Sequence, residues 1–269
     1  MTRPVRNLVL ILGDQLDHRF AAFDEFNRGN DIVWMAEVDE ETTHVWCHKQ
    51  RIALVLSAMR HFRDQLRKKY RTVGYHELQK QASKDRDGSF TEVLRQDVKQ
   101  LRPDLLVDVE PGGFRVQTQL QSCADELGIE LEIRADRDIY CSSEEFTQYA
   151  DGRRSFLLEV FYRALRNNDD ILMADTKQPE GGKWNFDHDN RERFAPSGPY
   201  EIPQPRMFRP DAVTKEVMEL VQHRFAAHPG NLDHFTLPVT HRQAGVNVSA
   251  TLDRKHAAKL RQLERRDMD

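Results

Sequence analysis

The hydrophobic residues of this chain fall into short apolar runs, separated by stretches in which apolar residues recur every three or four positions. The runs are Leu8–Leu12, Ile32–Ala36, Thr72–Tyr75, Leu105–Val109 and Ile129–Ile133. Runs of four or five residues that are mostly apolar are typical of strands buried on both faces of a parallel sheet. The alternation of strands and helices with short connections predicts an α/β fold with a doubly wound, parallel, five-stranded sheet.

The helices between these strands have recognisable faces and starting points. After the second run, one apolar face predicts a helix of about five turns, and its members are Ile52, Val55, Leu56, Met59, Phe62 and Leu66. Ser89 with Glu92, and Ser142 with Glu145, have the spacing of capping boxes and predict the first turns of two more helices.

Beyond Ile133 the alternation stops, and the sequence divides into segments of different character. Residues 1–140 are predicted to form the α/β domain, 141–173 a helical extension, and 174–213 a Pro-rich linker or loop. Residues 214–269 are expected to form a short helix and a basic, disordered tail. Contact of this tail with DNA or a protein partner is the alternative.

Composition and charge narrow the classes of function. No apolar run approaches the ~20 residues that cross a bilayer, so no membrane association is expected. The first six residues pass directly into a strand, which leaves no room for a signal peptide and predicts a cytoplasmic location. Seven Lys/Arg and four Asp/Glu give residues 241–269 a charge of +3, which leaves −7 on residues 1–240. An acidic body argues against broad, nonspecific binding of nucleic acid.

Acidic residues follow three of the predicted strands. Asp14 follows the first strand, Glu37 and Glu41 follow the second, and Glu110 follows the fourth. Because ligands of doubly wound sheets bind outside the carboxyl ends of the strands, we expect these side chains to converge on one crevice. They could accept hydrogen bonds from the N–H groups and hydroxyls of a heterocycle with a polyol chain. The alternative is that individual acids cap helices or face solvent.

Several familiar catalytic and metal-binding signatures are absent. The first strand is not followed by G-x-G-x-x-G, and neither a P-loop nor a G-x-S-x-G elbow occurs. His44 and His48 have i, i+4 spacing, but Val45 stands where a zinc-protease motif has Glu. The three cysteines are widely spaced, and we expect buried, reduced thiols. No catalytic residue and no metal ligand is therefore assigned.

A resemblance to a known family rests on strings spread along the chain. They are Leu8–Leu16, Ala36–Val38, His48–Ala53, Ser57–Phe62, Glu110–Gly112 and Gly181–Asp187. With these strings, the chain resembles the amino-terminal half of deoxyribodipyrimidine photolyase-related proteins, the family of prokaryotic (6-4) photolyases and iron–sulfur bacterial cryptochromes. The last string alone would suggest a lid or an interdomain clasp, or else a loop held onto the sheet by Trp184 and Phe186.

The resemblance implies a Rossmann-like antenna domain that holds a light-harvesting pigment, 6,7-dimethyl-8-ribityllumazine. The resemblance implies that the pigment crevice is lined by Gly13, Asp14, Gln15, Met35, Glu37 and Glu41. The position of Glu110 after the fourth strand adds it to this set.

The same resemblance implies that FAD, a 4Fe-4S cluster and DNA belong only to full-length members. After Ala244 the sequence no longer resembles the family. We therefore expect either a truncated or frameshifted product or a natural short form, and no DNA repair by this chain alone. A stand-alone α/β protein that binds a nucleotide or another small molecule is the alternative, and the oligomeric state is left open.

Overall fold

The parallel sheet that the apolar runs predict is present in the computed structural model, which describes residues 4–70, 72–82, 88–174, 178–185 and 206–247. Its strands are β1 Asn7–Leu10, β2 Ile32–Ala36, β3 Val73–His76, β4 Leu105–Val109 and β5 Glu130–Arg134. They pair in the order β3-β2-β1-β4-β5, and every pairing is parallel. The predicted α/β fold class is confirmed. The strand order reverses between β1 and β4, which is the topological switch point at which such sheets bind ligands.

Helices connect the strands and continue after them. They are α1 Asp39–Thr43, α2 Lys49–Lys69, α3 Phe90–Leu101, α4 Phe114–Leu127, α5 Ser143–Ala150, α6 Leu158–Asn168 and α7 Ala212–Arg224, with a 3-10 turn at Ala21–Phe23. Residues 241–247 are also helical. The long predicted helix is α2, and both capping boxes are formed, by Ser89 at α3 and by Ser142 at α5.

The first strand ends two residues earlier than its apolar run. The N–H of Ile11 still donates to the Trp34 carbonyl at 3.0 Å. The N–H of Leu12 donates instead to the side-chain Oε1 of Gln15, at 3.1 Å. Because the amide of Gln15 replaces the neighbouring strand as acceptor, the chain turns away from the sheet at Leu12.

Alternate residues of the strands supply the two faces of the sheet. On one face, Val9, Val33 and Val107 share a buried core with residues of α2 and α7. On the other, Leu10 and Leu106 pack with residues of α3 and α4. Both faces are thus covered, as the continuous apolar strands require.

The chain forms two compact units. One contains Met1–Ala135 and Gln204–Asp269, and the other is Asp136–Pro203. In the first unit, α7 returns to the α/β core, where Val217, Leu220 and Val221 are buried. The segment boundaries proposed from the sequence stay a prediction.

The second unit contains α5 and α6. The Trp184 ring has the guanidinium carbons of Arg163 and Arg166 at 5.6 and 5.2 Å from its centroid. These cation–π contacts hold Trp184 within its unit, whereas Phe186 and Asp187 lie outside the described residues. Within the described parts of both units, no helix has the length and apolar character needed to cross a bilayer.

Candidate functional site

A cavity of about 310 Å³ lies at the carboxyl edge of the sheet, beside the switch point. Its wall is built from Leu12–Asp14 after β1, from Ala36–Val38 at the end of β2, and from Pro111–Gly113 after β4. The connection between α1 and α2 adds residues 44, 45 and 47, and α2 adds its first three turns. Most of the lining is apolar and a few side chains are polar, as is typical of sites for small molecules.

Two glycines allow the walls to approach each other closely. A Cβ on Gly13 would lie 3.2 Å from Met59 Sδ and 3.6 Å from Val55 Cγ1, so α2 packs directly on the loop after β1. A Cβ on Gly112 would lie 3.3 Å from the Oδ2 of Asp14. The predicted residues Gly13 and Asp14 therefore do line the cavity, and Asp14 is within contact distance of the loop after β4.

Two charged side chains of the lining have no partner among the residues that the structure describes. Within the described ranges, the exposed carboxylate of Asp14 makes no hydrogen bond or ion pair, and neither does the exposed guanidinium of Arg51. The cavity thus offers a ligand one anionic acceptor and one cationic donor. Arg51 is not among the residues predicted from the sequence, because it lies off the apolar face of α2 and resembles any solvent-facing residue of an amphipathic helix.

Glu37 also lines the cavity, but its carboxylate is engaged within the protein. The Arg60 guanidinium donates to both carboxylate oxygens, at 2.8 and 2.9 Å. The Tyr75 hydroxyl and the Leu78 N–H donate as well, at 2.5 and 3.0 Å. Burial, followed by the charge of Glu37, raises the pKa of the Tyr75 hydroxyl well above its usual value. Glu37 is therefore held in place by four hydrogen bonds, and its contact with a ligand stays a prediction.

Glu41, the fourth predicted residue in the lining, is paired with a cation. The Arg115 guanidinium donates to both of its carboxylate oxygens, at 2.8 and 2.9 Å. The neighbouring Glu40 accepts a hydrogen bond from Gln119 at 3.0 Å. These contacts connect α1 to α4 beside the cavity, and they neutralise the charge of Glu41.

The remaining predicted residues lie outside the lining. Gln15 is buried, and its amide joins the Leu12 N–H to the Val109 carbonyl, so it braces the loop after β1 against β4. Met35 is fully buried in the core on the α2 face of the sheet. The Glu110 N–H donates to the Arg134 carbonyl at 2.8 Å. Direct ligand contact by these three side chains stays a prediction.

Asp108, a fully buried carboxyl on β4 next to the switch point, is also not among the predicted residues. Its Oδ1 accepts from the Val109 N–H at 2.9 Å, and its Oδ2 has no partner among the described residues. Burial, together with the nearby charge of Asp14, raises the pKa of Asp108 to about 8. The sequence does contain one signal for this residue, since Asp108 is the only acidic residue in the apolar run Leu105–Val109.

The described residues supply no metal site. His44 is the C-cap of α1 and His48 is the N-cap of α2, so the two histidines do not share a helix. In the described ranges, no group of three or more His, Cys, Asp or Glu side chains is placed to hold a metal ion. Of the three free cysteines, only Cys123 is buried, which corrects the expectation for the other two. The three cysteines of this sequence are one fewer than the four thiolates that hold a 4Fe-4S cluster, and the expectation that the cluster belongs to full-length members stays a prediction.

Together, the fold and the cavity define a doubly wound α/β domain with a small-molecule-sized site at its switch point. The sequence model of the deoxyribodipyrimidine photo-lyase-related proteins matches residues 9–237, and the chain belongs to this family. A (6-4) photolyase of Agrobacterium fabrum (strain C58) is 38% identical over 246 residues, which are 91% of this chain and 47% of that photolyase. The chain therefore spans about half the length of this curated relative. The resemblance noted in the sequence is confirmed.

Proposed function

We propose that the cavity binds 6,7-dimethyl-8-ribityllumazine and that the chain is the light-harvesting half of a photolyase- or cryptochrome-type flavoprotein. The observation that carries the proposal is the cavity of about 310 Å³ at the switch point of a family member. The Asp14 carboxylate in its lining has no partner in the described part of the chain. When bound, the pigment would absorb light and pass the excitation to a flavin.

The donor and acceptor groups of the cavity support a pigment of this kind. Its volume is at the lower end of the ~300–1,000 Å³ found for small-molecule sites, which suits a bicyclic ring. The apolar side chains of Val55 and Phe90 can cover ring faces. The Asp14 carboxylate can accept from a ring N–H or a ribityl hydroxyl, and Arg51 can donate to a ring carbonyl.

The first test is an absorption and fluorescence titration of the purified chain with the ribityllumazine, FAD and ATP offered separately. Saturable binding of the lumazine supports the proposal. ATP binding without lumazine binding would favour the alternative of a nucleotide-binding protein. Binding of neither pigment would leave the antenna role without support.

A matched pair of variants tests the site itself. Asp14→Asn removes the anionic acceptor, and hydrogen bonds to charged groups are worth about 1.5–3 kcal/mol, so a roughly 10- to 100-fold weaker Kd is expected. Asp104→Asn is the same substitution at an exposed position just before β4, at the opposite edge of the sheet, and should leave the Kd unchanged. If the wild type, Asp14→Asn and Asp104→Asn bind lumazine with the same Kd, Asp14 does not contact the ligand.

Two further expectations stay predictions. One is that the 269-residue chain alone does not repair DNA. Light-dependent removal of (6-4) lesions by the purified protein would refute it. The other is the cytoplasmic location, which fractionation of cells that express the protein would test.

A further inference from the structure

One wall of the cavity has no regular secondary structure of its own. The connection between α1 and α2, residues 44–48, is neither helix nor strand. Val45 and Trp46 are 56% and 64% exposed, and Val45 and Cys47 face the cavity. A wall of this kind needs support from outside the connection to keep one conformation.

That support comes from residues 225–230, the turn that follows α7, more than 170 positions further along the chain. The buried His228 ring stacks on Trp46, with centroids 4.5 Å apart and an interplanar angle of 18°. Its Nδ1 lies 3.0 Å from the Cys47 carbonyl oxygen. Because a carbonyl only accepts, Nδ1 carries the proton and donates it.

Two further contacts of the turn hold the end of the same wall. The Lys49 N–H donates to the Pro229 carbonyl at 2.9 Å, which satisfies a donor at the start of α2. Gly230, at φ +82°, lies so close to the His48 ring that a Cβ would overlap it. The turn therefore contacts the wall at Trp46, Cys47, His48 and Lys49.

We infer that the turn 225–230 sets the ligand affinity of the cavity by holding this wall, with His228 as the positioning residue. The inference rests on the proposed function for its ligand. His228 is absent from the cavity lining, so it acts through the wall that it supports. Nothing in the sequence pattern connects these two segments, since the wall and the turn belong to opposite ends of the chain.

The experiment measures lumazine affinity and wall opening in the same proteins. His228→Ala removes both the stack and the hydrogen bond, and we expect a Kd about tenfold weaker, because the wall then loses two of the contacts that fix its conformation. His228→Asn keeps a donor and should recover part of the affinity. Trp46→Ala removes the same stack. Because Trp46 is largely exposed, we expect this substitution to leave the stability of the fold unchanged. His223→Ala, at an exposed position in the last turn of α7, is the control.

Cysteine labelling separates a loosened wall from an unfolded protein. Cys47 is partly buried in the wall, whereas Cys123 is fully buried in the core. In a Cys141→Ser background, maleimide labelling followed by peptide mass spectrometry gives a rate for each thiol. The inference predicts faster labelling of Cys47 in His228→Ala and Trp46→Ala, slow labelling of Cys123, and a weaker Kd in the same proteins.

These measurements distinguish a failure of the inference about His228 from a failure of the proposed function. If the wild type binds lumazine and His228→Ala binds it equally well, the inference is overturned while the antenna role stands. Faster labelling of both thiols would mean that His228 only stabilises the fold, which also overturns it. If the wild type binds no lumazine, the proposed function and the affinity claim fail together, and the Cys47 rate still decides whether the turn holds the wall.

Discussion

Replacing Arg60 with methionine removes the cation with which the buried Glu37 carboxylate is paired. The Glu37 side chain is 0% exposed and that of Arg60 is 5% exposed, so water cannot replace the guanidinium. Two of the four hydrogen bonds to the carboxylate disappear with it, and those from Tyr75 and Leu78 remain. The folded chain must then either bury an uncompensated charge or protonate it.

The expected cost is large compared with ordinary protein stability. Removing one partner of a buried ion pair destabilises a protein by about 3–5 kcal/mol. Total free energies of unfolding are about 5–15 kcal/mol, so Arg60→Met should remove about a fifth or more of the stability. Glu37→Gln combined with Arg60→Met leaves no buried charge, and we expect this double variant to recover at least about 2 kcal/mol.

Urea denaturation followed by far-UV circular dichroism measures these differences. Arg95→Met is the control, because Arg95 and Glu126 form an ion pair of 2.7 Å whose side chains are 32% and 58% exposed. Such surface pairs are worth about 0–1 kcal/mol. If Arg60→Met costs no more than Arg95→Met, or if the double variant is less stable than Arg60→Met, the account of Glu37 as a structural residue is refuted.

Three further predictions concern pH, packing and association. The pKa of Asp108 is raised from 3.8 to about 8 in the folded chain, so the folded state binds more protons between these values and stability falls as pH rises through that window. Asp108→Asn should flatten this decline in urea denaturation between pH 5 and 8, and an unchanged slope would contradict the assignment. Gly230→Ala places a Cβ into the His48 ring at a positive φ and should cost at least about 2 kcal/mol, whereas Gly245→Ala, with nothing within 4 Å of its Cβ, should not destabilise the chain. Leu158 is 81% exposed at the start of α6, so Leu158→Gln should leave stability within about 0.5 kcal/mol and reduce any self-association seen by sedimentation velocity.

The three central strands β1, β2 and β4 could be predicted because they are buried on both faces and therefore appear as mostly apolar runs. The helix starts follow from local signals, such as the Ser89 capping box, whereas the strand order depends on pairing between distant segments. The end of β1 could not be predicted, because a side-chain amide at Gln15 competes with the ladder for the Leu12 N–H.

The candidate site was predictable only in part. Asp14 and Gly13 follow a buried strand directly, and their place in the lining follows from topology. The pairing of Glu37 with Arg60 joins residues 23 positions apart, and the pairing of Glu41 with Arg115 joins residues 74 apart. Sequence spacing shows which acids reach the edge of the sheet, but not which of them a neighbouring helix will neutralise.

The return of α7 to the core of the first unit has a consequence for how the protein is synthesised. Val217, Leu220 and Val221 share a buried core with α2, yet the ribosome makes residues 136–203 between Ala135 and this helix. At about 5–20 residues per second, the apolar surface that α7 covers stays uncovered for on the order of ten seconds after β5 emerges. A nascent chain with that surface exposed is a substrate for chaperones. If synthesis stopped before α7, all five strands would be present, but the helix layer that α7 shares with α2 would be incomplete.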